Sequence, residues 1–146
     1  GVRDALATGP LAGYAVVDTA VRILGGAWRE GDTTEIAFRT AAMLAAREAM
    51  AAAEPALLEP VMALEVVTPD AHLGDVLADL NARRGRVRQV ESREGATTIR
   101  AEAPLVELFG YATALRSLTR GRATYSMEPR RFDRVPAAQQ DAIIRR

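Results

Sequence analysis

The chain has 146 residues, 49% apolar and 26% charged, with nineteen basic and nineteen acidic side chains, a profile that fits one ordinary folded domain or two small ones. It has no cysteine, which excludes a disulfide framework, a thiolate nucleophile and the usual cysteine-containing zinc sites, and suits a reducing cytoplasm. No stretch approaches the roughly 20 consecutive apolar residues that span a bilayer, and Gly1-Val2-Arg3-Asp4 has no leader character, so no membrane partner is expected.

The zero net charge hides a segregation. Residues 1–82 hold five arginines against twelve carboxylates, whereas residues 83–146 hold fourteen against seven. The basic second half is the candidate for a polyanionic partner. Every cation is arginine and none is lysine, so each can grip phosphate with a planar fork, and none can form a Schiff base or serve a nucleotide phosphate loop.

In chain order, residues 1–8 read as the end of a helix stopped by Gly9-Pro10. From Val17 to Ile23, alternation of Val17, Thr19, Val21 and Ile23 with Asp18, Ala20 and Arg22 predicts a strand. Gly25-Gly26-Ala27-Trp28-Arg29-Glu30-Gly31 is a loop. Asp32-Thr33-Thr34-Glu35 has capping-box spacing and opens a helix to about Ala53, with Ile36, Met43 and Met50 recurring beside Ala37, Leu44 and Ala51. Pro55 and Pro60 bracket a linker. One strand and two helices cannot close a sheet, so residues 1–59 read as a partial α+β domain. Its uncovered apolar faces are expected to pack on a neighbour, to self-associate by swapping, or to move.

Residues 60–146 contain a complete set of elements. Val61–Thr68 is a strand, and Pro69-Asp70 starts a helix presenting Leu73, Val76, Leu77 and Leu80 at helical spacing. Val87–Glu91 and Ala96–Ala103 are strands joined by a hairpin at Ser92-Arg93-Glu94-Gly95. Pro104 opens a helix with an apolar stripe of Leu105, Leu108, Phe109, Ala112 and Leu115, which Gly121 ends. Arg122–Glu128 is a fourth strand, and Ala137 to about Ile144 is a tail helix. The predicted fold is α+β: a ferredoxin-like βαββαβ sandwich preceded by the partial domain.

The chain is poor in catalytic equipment. His72, the single histidine, reads as a solvent-facing first-turn residue with no second histidine or cysteine to share a metal. Asp75 and Asp79 resemble a carboxylate pair, but Arg83 follows Asp79 at i+4, which makes a helix-surface ion pair the better reading. No catalytic residue, metal site or cofactor is assigned. Base stacking on the sheet, as in an RNA-recognition module, needs aromatics in the central strands, and the third strand has none. What remains is recognition of a nucleic-acid backbone by arginine-rich helix ends and loops. Candidates are Arg83 and Arg84 after the first helix, Arg116, Ser117 and Arg120 at the end of the second, and Trp28 with Arg29 in the glycine loop. Spacing alone favours a tryptophan tucked onto its own domain over one displayed for stacking.

The runs Gly74–Gly85 (GDVLADLNARRG), Leu108–Thr113 (LFGYAT) and Leu115–Arg122 (LRSLTRGR) closely resemble the last domain of bacterial elongation factor G. Val16-Val17-Asp18, Glu35-Ile36-Ala37-Phe38 and Leu58-Glu59-Pro60-Val61-Met62 resemble its penultimate domain and the join between the two. The resemblance implies the second half of the penultimate domain, of ribosomal protein S5 domain 2-like fold, followed by the ferredoxin-like last domain. The GTPase domain, with its GTP and Mg, would lie outside this segment, and the parent would be a ribosome-stimulated GTPase. The implied partners are the decoding site, reached by a tip loop containing Trp28 and Arg29, and the sarcin-ricin loop of ribosomal RNA with the stalk-base protein L11. Arg116, Ser117 and Arg120 would face the sarcin-ricin loop. Where the family's tip loop commonly reads Asp-Gly-Ser-Tyr-His, this chain has Gly25-Gly26-Ala27-Trp28-Arg29, and Arg120 stands where glutamine is usual. A paralogue, a ribosome-protection or recycling relative, and a free-standing ferredoxin-like ligand-binding module are the alternative readings.

Overall fold

The computed structural model describes residues 1–145, which form two compact units: residues 1–57 with the chain from Val135 onward, and residues 58–134. In the first unit, α1 (Val2–Ala7) and α2 (Glu35–Ala52) pack through a small core of Ala5, Ala46 and Met50, with Val2, Leu6, Val16 and Met43 at its edge. Thr34 caps α2, its hydroxyl accepting from the Ala37 N–H at 3.2 Å. The tail helix α5 (Ala137–Ile144) groups with this unit: the Val135 N–H donates to the Leu57 carbonyl, and Gln140 Oε1 accepts from the Leu57 N–H.

Two expectations for this unit are corrected. Val17–Ile23 is not a strand but irregular chain, and Val17, Val21 and Ile23 are exposed. A strand is held by its neighbours' backbone groups, and none lies alongside. The seven-residue stripe of α2 is also not a single buried face, since Met50 is covered while Ile36 and Leu44 are exposed.

The second unit is a four-stranded antiparallel sheet of β1 (Leu58–Pro69), β2 (Arg86–Arg93), β3 (Ala96–Pro104) and β4 (Thr124–Arg134), in spatial order β2-β3-β1-β4. Helices α3 (Leu73–Ala82) and α4 (Tyr111–Thr119) complete the ferredoxin-like βαββαβ arrangement. Alternation in β1 and β3 turns Leu64, Val66, Ile99 and Ala101 toward Val76 and Leu80 of α3 and Leu115 of α4, an apolar core. Glu94 and Gly95 both have positive φ, the mirror-image turn that suits a tight hairpin between β2 and β3.

The α4 stripe is corrected at one position. The helix that Pro104 opens breaks: a single 3-10 turn covers Leu105–Leu108, and α4 begins after Gly110, whose φ of 74° only glycine adopts freely. Phe109 is thrown outward, 75% exposed, and Tyr111 takes the buried place, its ring 5.0 Å from that of Tyr125 in an edge-to-face pair.

The end of α3 is tightly closed. The Gly85 N–H reaches back to the Leu80 carbonyl at 2.8 Å, and a Cβ added at Gly85 would lie 2.5 Å from that same oxygen. Gly85→Ala is therefore expected to destabilise the chain by about 1–3 kcal/mol, seen as a lower urea midpoint with an unchanged m-value.

Candidate functional site

Both helix ends close alike. Arg84 and Arg120 sit in the left-handed region at φ of 58° and 53°, followed by glycines whose N–H groups bond to Leu80 and Arg116 respectively. At the end of α3 it is Arg84, and not the glycine after it, that is left-handed, and at the end of α4 both Arg120 and Gly121 (φ 75°) are, a conformation that costs an L-residue roughly 1–2 kcal/mol. At the α4 end the buried Thr119 hydroxyl donates to the Leu115 carbonyl at 2.7 Å and accepts from the Ala123 N–H at 3.1 Å, tying the helix terminus to the start of β4.

The two ends differ in what surrounds them. Past α3, Arg83 is half-buried, its Nε donating to Asp79 at 2.9 Å and its Nη1 to the Glu107 carbonyl at 2.7 Å, with the guanidinium 5.2 Å over the Tyr111 ring. The Tyr111 hydroxyl beneath it has no partner, and burial, with Asp79 second, pushes its pKa up to about 12. Arg84 grips both oxygens of Glu59, which raises its pKa further. The expectation that this end offers free forks is thus corrected: Arg83 and Arg84 are held in ion pairs inside the domain. At the end of α4, Arg116, Ser117 and Arg120 are exposed, and among the described residues neither arginine has a carboxylate within salt-bridge distance. Arg122 is exposed beside them.

In the first unit Trp28 is displayed, not tucked back, at 68% exposure. Its neighbour Arg29 is exposed on a loop that Thr33 closes, the Thr33 hydroxyl accepting from the Arg29 N–H at 2.8 Å. The structure places these two and the α4 cluster in different units.

Sequence reasoning missed a second set of cations. On the sheet face away from the helices, Glu102 of β3 receives Arg88 from β2 at 2.8 Å and Arg131 from β4 at 2.9 Å, with Arg130 at 3.7 Å. Asp133 holds Arg131 from the other side at 2.9 Å. Hydrogen bonds from Arg131 and Arg88 hold the Glu102 carboxyl at about 2, well below its usual value. The signal was Arg86-Val87-Arg88 and Arg130-Arg131 on predicted or adjoining strands, flanking a lone carboxylate. The central strands carry no aromatic on this face, as expected, so base stacking on the sheet has no platform.

Residues 56–143 match the family of the elongation factor G C-terminus, and residues 1–54 match elongation factor G, domain IV. The chain belongs to the elongation factor G family. A crystal structure of a protein from Thermus thermophilus is similar over 99% of this chain, at 38% identity and a TM-score of 0.85. The chain spans 22% of that protein. No helix among the described residues is long and apolar enough to cross a membrane, and no group of described side chains could hold a metal ion.

Two outcomes follow for this elongation factor G segment. Arg120→Gly is expected to stabilise it by about 0.5–1 kcal/mol in urea unfolding, because glycine relieves the left-handed strain. Because Glu102 is depressed in the folded state, its contribution is present above its ordinary value of 4.5 and is lost as pH falls toward about 2. Glu102→Gln should flatten the fall in urea midpoint across that window.

Proposed function

We propose that this chain is the ribosome-docking region of an elongation-factor-G-like translation factor, and that it promotes translocation through contacts with ribosomal RNA and ribosomal protein. The α4 end is the docking element of the second unit, gripping the phosphate outline of the sarcin-ricin loop beside the stalk-base protein L11. The observation that carries this reading is the contrast between the helix ends: the same arginine-glycine closure leaves Arg116 and Arg120 without an ion pair among the described residues while Arg83 and Arg84 are ion-paired within the domain. A solvated cation that an evolved domain holds in a strained, well-anchored position supports a contact outside the domain. Arg116 also sits in the last turn of α4, where a cation is favoured by the helix dipole, so its placement carries no folding cost.

Trp28 and Arg29 serve the first unit in the same way, as a displayed ring beside a fork that stacks on and grips RNA in the decoding site. With arginine in the place of the family's histidine, this loop offers charge and donors only, without an acceptor. The cytoplasm is the compartment this reading requires, and nucleotide turnover belongs to the parent protein's GTPase domain.

In the full-length factor, Arg116→Ala combined with Arg120→Ala should lower ribosome-stimulated GTP turnover by about tenfold or more, since charge-assisted contacts contribute ~1.5–3 kcal/mol each. Intrinsic nucleotide binding should stay unchanged. The slope of log affinity for ribosomes against log salt should shrink by about 1 for each phosphate contact removed. Unaltered turnover and slope in the double variant would refute the assignment.

A further inference from the structure

The open face of the sheet holds a polar depression lined by Arg84, Arg86, Arg131 and Arg134 around Glu59, Glu102 and Asp133. We infer that this depression is an oxyanion site that takes a phosphoryl group, separate from the α4 end. Two of its arginines, Arg86 at the start of β2 and Arg134 at the end of β4, line it with no carboxylate within salt-bridge distance among the described residues. The other two are held in place by acids yet keep a donor in reserve. Arg84 engages Glu59 through both terminal nitrogens, leaving Nε, and Arg131 uses Nε and Nη2, leaving Nη1.

That arrangement is a preorganised receptor rather than a set of loose surface charges. Arginines already oriented by carboxylates lose little freedom when a ligand arrives, and their planar forks match the oxygens of a phosphate. With Arg88 and Arg130 also drawn to Glu102, the guanidinium groups outnumber the carboxylates that hold them, so the face attracts an anion. A tetrahedral phosphoryl group presents enough acceptor oxygens for donors converging from β2, β4 and the α3–β2 turn, more than a planar carboxylate does. The apolar part of the lining is only Val61, Ala103 and Pro104, with no aromatic ring, so the site recognises the phosphoryl group and leaves the rest of its bearer unread.

The phosphoryl group has two sources, a free phosphate compound or the phosphodiester of an extended strand, and one experiment distinguishes them. Pyrophosphate titrated calorimetrically into the whole chain at low salt should bind saturably at one site. Arg86→Ala combined with Arg134→Ala should weaken it about tenfold or more. Both residues are exposed and outside the ion-pair network, and an unchanged urea midpoint verifies that the fold persists. Arg116→Ala combined with Arg120→Ala should bind pyrophosphate like the wild type, so loss of the α4 reading and loss of this one are separately visible. Displacement of pyrophosphate by an oligouridine without terminal phosphates assigns the site to a strand, and its failure to displace assigns the site to free phosphates. No saturable binding, or binding indifferent to Arg86 and Arg134 or abolished by the α4 variant, overturns the inference.

Discussion

A helix that packs on a sheet must end where the sheet's next strand begins, and the four carbonyls it leaves open must be closed without a long loop. Both helices of the ferredoxin-like unit meet this constraint by the same device, a left-handed residue followed by a glycine whose N–H folds back on the last turn. Glycine would take the left-handed position without strain, and arginine takes it instead at Arg84 and Arg120. The consequence is directional. A left-handed residue projects its side chain away from the helix cylinder, so each closure aims a guanidinium group at whatever lies beyond the helix end. At α3 that is Glu59, and the arginine is ion-paired there. At α4 no carboxylate among the described residues lies within salt-bridge distance, and the arginine is exposed.

How much of this was legible in the sequence follows from what each element depends on. The ferredoxin-like unit was readable because its elements are held by local pattern: β1 and β3 alternate, α3 repeats at helical spacing, and the hairpin carries its own turn residues. Val17–Ile23 alternates just as well, yet it is irregular chain, because alternation describes a face and not the partner needed to satisfy the backbone. Phe109 was misplaced for a related reason. Helical spacing extends smoothly from Leu105 through Leu115, but Gly110 breaks the register, and the break exchanges Phe109 for Tyr111 in the core.

The candidate site was legible by residue type and not by partner. Counting arginines located a basic stretch in the second half of the chain, but which of them remain available depends on contacts across many residues of sequence. Arg84 meets Glu59 and Arg131 meets Glu102, pairs that only the strand order β2-β3-β1-β4 brings together. The Asp79–Arg83 pair, four residues apart on one helix, is the only one of these that local spacing reveals. Burial of Tyr111 then fixes Arg83 a second time, since a guanidinium over an aromatic face is held by the ring as well as by the carboxylate.

The absence of lysine ties these observations together. One carboxylate, Glu102, sits between arginines from strands on both sides, Asp133 holds one of these same arginines, Arg131, a second time, and Glu59 holds Arg84. A guanidinium group can give two nitrogens to an acid and still offer a third, so arginine can be fixed by the domain and remain a donor. An ammonium on a flexible stem is a point charge whose donors are not held apart in a plane, and it would be either captured or free. A sheet face built from arginine alone can therefore be rigid and cationic together, whereas the exposed arginines at the end of α4 owe their rigidity to the backbone closure and to Thr119. The same residue type is thus placed by two different means on two surfaces of one small domain.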